Sequence, residues 1–188
     1  MDYVNGIIIG QYLIFITATV YIFSKNRVSI KSIVGRPPIN PALFFSMKVV
    51  MILLWSFPLM RASGIGLFFF THPVSDIIGL IIMGAGFAIA GSSIARLGKS
   101  TRLGISDEVF EFARTGLYSV SRNPMYCGFF IISLGAAVIT LSIIGLIMAV
   151  YVISVTHLVV LAEEKFLDSR LQDDWREYKK LTPRYLVV

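Results

Sequence analysis

The sequence has few charged residues and almost no cysteine. Only 15% of its 188 residues are charged and Cys127 is the single cysteine, whereas hydrophobic residues make up 56%. About a quarter of the residues in an average soluble domain are charged, so too few charges remain here to cover a water-facing surface. One cysteine cannot build a disulfide scaffold, and so apolar a chain does not stay disordered. The composition therefore indicates an integral membrane protein.

Patterns that would indicate a metal site or a nucleotide-binding loop are also lacking. The two histidines, His72 and His157, are isolated, and no Cys/His spacing resembles a zinc site. The sequence has no GxSxG, no phosphate-binding glycine-rich loop and no dinucleotide fingerprint. His72 precedes a proline and is interpreted as a solvated loop residue. His157 lies in an apolar stretch, where it either lines a site or bonds to a neighbouring helix. We expect no metal, and we interpret Cys127 as a packing residue.

Five apolar stretches can cross a hydrocarbon core of about 30 Å, which takes roughly 20 helical residues. No period-two alternation suggests a barrel. After the last stretch, apolar residues recur at helical spacing among charged ones, which is typical of an amphipathic helix. We therefore predict an all-α integral membrane protein with five transmembrane helices and a cytoplasmic C-terminal amphipathic helix, Glu163–Lys180. The predicted spans are Val4–Ser24, Leu43–Met60, Val74–Ala95, Met125–Leu141 and Ile144–Leu161.

The distribution of basic residues predicts the orientation of these spans. Of the 17 Lys and Arg residues, 15 lie in residues 25–41, in residues 96–122 or after the last span, and the other two are Lys48 and Arg61. With five spans, those three segments lie on one side, which the positive-inside rule makes the cytoplasm. We expect the N-terminus outside, and both the C-terminus and the active site in the cytoplasm. The net charge of +6 thus reflects orientation, and nucleic acid is not expected as a partner.

The chain divides into two parts of different character. Residues 1–95 form an N-terminal anchor of spans one to three, and the third span carries small residues that let helices pack closely in lipid. Residues 96–188 contain a long polar loop, spans four and five and the amphipathic helix, so we expect the chemistry there. Only Ser142 and Ile143 separate spans four and five, which predicts a tight antiparallel hairpin. That hairpin would bring Arg122 and the pair Glu163-Glu164 to the same depth.

The polar residues of the second part follow a pattern known from one enzyme family. They resemble the Gly-x-Tyr-x₃-Arg-His-Pro-x-Tyr-x-Gly signature of isoprenylcysteine carboxyl methyltransferases, and here that stretch reads Gly116-x-Tyr118-x₃-Arg122-x-Pro124-x-Tyr126-x-Gly128. Three later elements are similar to the same family in order and spacing: Glu163-Glu164, Trp175-x₂-Tyr178 and Pro183-Arg184. The resemblance covers residues 96–185 and indicates a compact prokaryotic-type member.

The resemblance implies a cofactor, S-adenosylmethionine, and a set of residues around it. The residues that it implies for cofactor binding are Lys99, Phe112, Ala113, Tyr118, Arg122, Asn123, Pro124, Met125, Tyr126 and Glu163. Arg122 and Glu164 are the residues we expect to orient the reactants for catalysis. The implied partners are the lipid bilayer and a lipophilic carboxylate-bearing substrate such as an isoprenylated cysteine.

Two positions depart from the family pattern and affect the expected acceptor. Asn123 stands where the family has histidine, and asparagine does not titrate near neutral pH. Val159 stands where the eukaryotic enzymes have a substrate-binding arginine. A carboxylate acceptor is already ionised at neutral pH, whereas an amine must lose a proton. The sequence therefore favours a carboxylate acceptor.

Other functions remain open at this point. A phospholipid N-methyltransferase shares this C-terminal architecture, and membrane sterol reductases also resemble the region but would need a nicotinamide cofactor. A non-catalytic membrane assembly protein would keep the fold without binding a cofactor. The length and charge of the loop 96–115 would also allow it to close over the site as a lid.

Overall fold

The computed structural model describes residues 2–28, 33, 35–65, 70–101, 104–105 and 113–186, and this part of the chain is mostly helical. Its α-helices are α1 (Asp2–Lys25), α2 (Pro41–Ala62), α3 (Pro73–Leu97), α4 (Pro124–Thr140) and α5 (Ile143–Leu181). Short 3₁₀ turns lie at Gly98–Ser100 and Gly116–Ser119. Pairing of extended backbone within the described residues is limited to an isolated bridge between Arg36 and Ile105. The all-helical prediction is confirmed.

Local sequence explains where the helices begin. Helices α2, α3 and α4 each start at a proline, whose fixed φ suits the first helical position and whose missing N–H is not needed there. The side chains of Asn40, His72 and Ser142 accept hydrogen bonds from the first backbone N–H groups of α2, α3 and α5. His72, expected as a loop residue, is thus an exposed helix cap. Asn123 precedes α4 without capping it, because its side chain points into the site described below.

The helices suit a bilayer in length and surface. Four are long and apolar enough to cross a membrane, namely Tyr3–Lys25, Pro41–Ala62, Pro73–Leu97 and the helix that begins at Ile143, while the apolar helix Pro124–Thr140 has 17 residues. Large apolar side chains such as Ile14, Ile52 and Ile81 are more than half exposed on the outer surface. An apolar surface of this kind is stable in contact with lipid but not in contact with water. The chain is a multi-pass integral membrane protein.

Glycines hold α3 and α4 in close contact. A Cβ atom placed on Gly86 would lie 2.8 Å from the backbone nitrogen of Ile132, and one on Gly128 would lie 2.6 Å from that of Ala90. Gly79 meets Ile139 in the same way. The small residues of the third span therefore pack against a neighbouring helix, as predicted. The short α4 is fixed in this way beside the longer α3.

Helix α5 differs from the prediction. The fifth span continues past Leu161 into the predicted amphipathic helix, and the non-helical backbone of Gln172, whose φ is 45°, divides Ile143–Leu181 into two helical segments. The sequence between Leu161 and Gln172 contains no proline or glycine, so no residue there stops the helix at the membrane surface. Beyond the break, Trp175 and Tyr178 are buried. The turn at Leu141 and Ser142 between α4 and α5 confirms the predicted hairpin.

Candidate active site

A buried ion pair joins the two helices of the hairpin. Arg122 lies just before α4, and its Nε lies 3.1 Å from Oε1 of Glu164 on α5, while its Nη2 lies 3.3 Å from Oε2. The side chains are 7% and 5% exposed. Nη1 of Arg122 also donates to the carbonyls of Lys179 and Thr182. Arg122 and the Glu pair are brought together as predicted, through the contact with Glu164. Arg122 also connects the start of α4 to the C-terminal end of α5.

Two more donors complete the shell around Glu164. Nδ2 of Asn123 donates to Oε1 at 3.0 Å, and Nε of Arg184 donates to Oε2 at 3.0 Å. The hydrogen bond to Glu164 raises the pKa of the Arg184 guanidinium. A carboxylate that accepts from two guanidinium groups and an amide is strongly held in its ionised form. Glu164 is therefore a structural anion, held in place by its donors.

The neighbouring carboxylate has different surroundings. Oε1 of Glu163 accepts from the hydroxyl of Tyr126 at 2.8 Å and from the backbone N–H of Gly104 at 2.8 Å. Glu163 is half-buried, whereas Tyr126 is buried. Gly104 has a φ of 120°, and a Cβ there would lie 2.6 Å from the carbonyl oxygen of Arg36. Residues 104–105 of the loop before α4 thus reach Glu163 through a backbone position that suits glycine alone.

The last described residues fold back over the start of α4. The backbone N–H of Arg122 donates to the carbonyl of Pro183, and the Ser121 hydroxyl donates to the carbonyl of Arg184. The Tyr185 hydroxyl shares a hydrogen bond of 2.7 Å with Nδ1 of His157. Burial raises the pKa of Tyr185 to about 12, so this hydroxyl stays neutral at physiological pH. The sequence left open whether His157 lines a site or bonds to a neighbouring helix. In the structure, it bonds to the C-terminal segment.

Three more predicted residues lie in the same region. Tyr118 is buried in the 3₁₀ turn before α4, its carbonyl accepts from the Tyr178 hydroxyl, and burial raises the pKa of Tyr118. Pro124 and Met125 are buried in the first turn of α4. They shape the wall of the site through packing.

Other predicted residues are not brought into this cluster. Ala113 is half-buried in an irregular segment, and the structure gives it no polar contact with Glu163 or Glu164. The side chain of Lys99 and all of Phe112 lie outside the described residues, as do residues 102–103 and 106–111 of the loop 96–115. Their predicted contacts with the cofactor stay predictions, and so does the lid.

Sequence reasoning did not assign Arg184, Gly104 or Lys48 to the site. Arg184 had a signal, because it belongs to the Pro183-Arg184 element of the resemblance. Lys48 also had one, since it is a charged residue inside a predicted span. Gly104 had none, because its role depends on a long-range approach to Arg36 and Glu163.

A small apolar cleft of about 10 Å³ lies between helices beside Tyr126. Helices α2, α4 and α5 line it with Phe44, Met47, Lys48, Met51, Tyr126, Phe129, Thr156 and Val159. A more open pocket lies at the C-terminal end of α5, lined by Arg114, Ser119, Glu177, Tyr178, Leu181 and Thr182. The site thus has a small apolar cleft beside Tyr126 and a more open pocket near the end of α5.

The comparisons with known proteins agree with this arrangement. Residues 74–174, which include α3, α4 and most of α5, match the model of the phospholipid methyltransferase family. This match covers more than half of the chain, and the chain belongs to that family. No individual curated protein matches it. The protein is therefore a membrane protein of a methyltransferase family, and the general part of the predicted function is confirmed.

Proposed function

We propose that the protein is an S-adenosylmethionine-dependent methyltransferase that methylates a lipid acceptor where the cytoplasm meets the membrane. The observation that carries the proposal is the contrast between the two adjacent carboxylates of α5. Glu164 is enclosed by Arg122, Arg184 and Asn123. Glu163 is half-buried and lies between Tyr126 and Gly104, next to the apolar cleft. Glu164 fixes the positions of the helices, and Glu163 faces the space where the reactants would meet.

The residues at Glu163 fit the proposed cofactor in charge and in hydrogen-bonding type. S-adenosylmethionine, when bound, supplies a methyl group on a positively charged sulfonium and presents ribose hydroxyls and an amino group. Glu163 would hold these donors, because a carboxylate accepts several hydrogen bonds and stabilises a nearby cation. Tyr126 would keep the Glu163 carboxylate in position. Tyr118, Asn123, Pro124 and Met125 would form the surrounding wall.

Arg122 and Glu164 act as positioning residues in this proposal. Arg122 donates four hydrogen bonds to protein groups, so it ties α4, α5 and the C-terminal segment together. Alignment of two bound reactants lowers the barrier of a bimolecular transfer by several kcal/mol. The apolar cleft would exclude water from the transfer.

For the acceptor, we propose the carboxylate of a lipidic or isoprenyl-thioether molecule. Asn123 cannot act as a base, and Glu164 is occupied by three donors, so neither group removes a proton from an amine. A carboxylate needs no such step. The family match favours a second candidate, the amine of a phosphatidylethanolamine-type phospholipid. In that case the half-exposed Glu163 is the carboxylate that would hold the ammonium group.

Calorimetric titration of the detergent-solubilised protein with S-adenosylhomocysteine tests the cofactor. We expect micromolar binding that Glu163→Ala and Tyr126→Phe weaken about tenfold or more, since each removes a charge or its orienting hydrogen bond. Lys165→Met is the matched control, because Lys165 is exposed on the same turn of α5. Absence of binding in folded protein contradicts the proposal and favours the nicotinamide-dependent or assembly alternatives.

A comparison of acceptors then separates the two lipid substrates. Labelled methyl transfer to a farnesylcysteine analogue should exceed transfer to phosphatidylethanolamine if the acceptor is a carboxylate. The reverse order identifies the N-methyltransferase.

A further inference from the structure

Helix α5 is bent at one residue whose backbone conformation is unfavourable. Gln172 has a φ of 45° and a ψ of −113°, a combination that residues with a Cβ rarely adopt and glycine adopts readily. Its side chain is exposed, so packing of Gln172 itself does not hold it there. Residues 162–182 include no proline or glycine that would interrupt a helix. The bend is therefore imposed by contacts that other residues make.

Residues 173–186, which we call the C-terminal flap, supply those contacts. Nε of Arg176 lies 3.6 Å from Oδ1 of Asp168 on the other side of the bend, whereas residues eight positions apart in a continuous helix are about 12 Å apart along its axis. The Tyr185 hydroxyl shares a hydrogen bond of 2.7 Å with His157, which belongs to the membrane-spanning part of α5. The flap thus folds back, and strained backbone persists where such contacts hold it.

The flap covers residues that would line the cofactor. Its Tyr178 hydroxyl donates to the carbonyl of Tyr118, and its Arg184 carbonyl accepts from Nδ2 of Asn123. The cleft beside Tyr126 has a volume of about 10 Å³, whereas pockets for small molecules commonly have about 300 Å³ or more. Binding of a ligand as large as S-adenosylmethionine against Tyr118 and Asn123 therefore requires the flap to move.

We propose that the C-terminal flap is a gate, hinged at Gln172, through which the cofactor enters and leaves. This inference rests on the proposed function and adds the control of access to it. In the closed state, the contacts of the flap with His157 and with the start of α4 hold Gln172 in its strained conformation. When they break, Gln172 relaxes to a helical conformation, α5 straightens and the flap moves away from Tyr118 and Asn123. Strain at one residue thus favours opening, and the hydrogen bonds of the flap favour closure.

Hydrogen exchange of the Arg122 amide measures opening in the detergent-solubilised protein. This N–H donates to the carbonyl of Pro183 in the flap, so it exchanges when the flap moves away. Gln172→Gly should slow the exchange about tenfold, the equivalent of about 1.4 kcal/mol, because glycine relieves the strain of the closed state and is a poor helix former. Gln172→Ala is the matched control and should not slow it, since alanine keeps the Cβ. The Cys127 amide, which donates to Asn123 within α4, should be unaffected.

Tyr185→Phe tests the same equilibrium in the opposite direction. It removes the hydrogen bond to His157 and keeps the ring that packs against Phe130. Exchange at Arg122 should become about fivefold faster, as expected for the loss of one hydrogen bond, and adding Gln172→Gly should reverse the change. Equal exchange at Arg122 in all variants, or faster exchange in Gln172→Gly, overturns the hinge.

The kinetics of S-adenosylhomocysteine binding, followed by surface plasmon resonance, test whether the flap is the gate. A gate controls passage in both directions, so Gln172→Gly should lower the association and dissociation rate constants by the same factor and leave Kd unchanged. Unchanged rate constants, or a changed Kd with an unchanged association rate constant, overturn the gate and leave the proposed function. No binding to the unchanged protein removes the proposed function together with this role of the flap, and the exchange at Arg122 still decides whether the flap is hinged at Gln172.

Discussion

At the scale of single residues, the ionised state of Glu164 depends on a complete shell of donors. Arg122, Arg184 and Asn123 all donate to it, and its side chain is 5% exposed. Buried charges are stable only when they are paired and hydrogen-bonded. Removing one member therefore leaves the opposite charge buried without compensation, which costs more than the pair itself contributes.

Glu164→Gln should accordingly destabilise the protein by about 3–5 kcal/mol, the range for breaking a buried ion pair. The measurement is thermal unfolding in detergent, followed by a dye that fluoresces on reaction with the buried thiol of Cys127. Asp173→Asn is the matched control, because its partner Arg176 and Asp173 itself are exposed, and such pairs contribute about 0–1 kcal/mol. Equal melting temperatures for the two variants would show that Glu164 has no structural role.

Gly104→Ala should weaken S-adenosylhomocysteine binding about tenfold. Its φ of 120° and the 2.6 Å approach to the carbonyl of Arg36 leave no room for a Cβ. The loop must therefore shift, which withdraws the Gly104 N–H that donates to Glu163. A tenfold change corresponds to about 1.4 kcal/mol, the scale of a hydrogen bond to a charged group. Gly64→Ala separates strain from displacement, because Gly64 also has a positive φ of 73° but has no atom nearby. Similar titrations for both variants would contradict the role of Gly104.

These residues show what sequence could and could not predict. Arg122, Asn123, Tyr126 and the Glu pair follow from spacing, because one hairpin fixes their relative depth. The different roles of Glu163 and Glu164 do not follow from spacing, because two adjacent carboxylates can be distinguished only by the residues that contact them. Those neighbours, Arg184 and Gly104, come from remote segments.

At the scale of helices, close packing of α3 on α4 positions the site. Gly128 lies one turn beyond Pro124 and contacts the backbone of Ala90, so the N-terminal turn of α4 is fixed by α3. The predicted span boundaries agree with α1 to α4 within a few residues because hydrophobic length determines them. The end of α5 at Leu181 agrees with the prediction, but the break lies at Gln172 and not between Leu161 and Glu163, since an amphipathic pattern does not show where a helix is interrupted.

Gly128→Ala should lower stability by about 1–3 kcal/mol, the usual cost of overpacking. The added Cβ would lie 2.6 Å from the backbone nitrogen of Ala90, and backbone cannot rotate away as a side chain can. Gly6→Ala is the control, because Gly6 of α1 has no atom within 4 Å of an added Cβ. The Cys127 thiol assay measures both variants. A melting temperature for Gly128→Ala at or above that of Gly6→Ala would show that α3 and α4 can separate without cost.

At the scale of the whole molecule, orientation decides which reactants reach the site. Arg122, Glu164 and Arg184 lie at the end of the bundle where α4 begins and the membrane-crossing part of α5 ends. Fifteen of the 17 basic residues belong to segments that five spans would place on this side. The positive-inside rule therefore predicts that the proposed cofactor site faces the cytoplasm and that the acceptor enters from the inner leaflet.

Cysteine accessibility tests this orientation in a Cys127→Ser background. Thr71 is exposed in the connection between α2 and α3, and Lys180 is exposed near the end of α5. A membrane-impermeant maleimide should label Thr71→Cys in intact cells, and should label Lys180→Cys only after the membrane is opened. Full labelling of both in opened membranes is the control for reactivity. The opposite pattern would place Glu163 on the outer face and contradict the orientation. Labelling of both in intact cells would mean that an even number of spans lies between the two positions. Since α4 is a short helix of 17 residues, that result would identify it as one that does not cross.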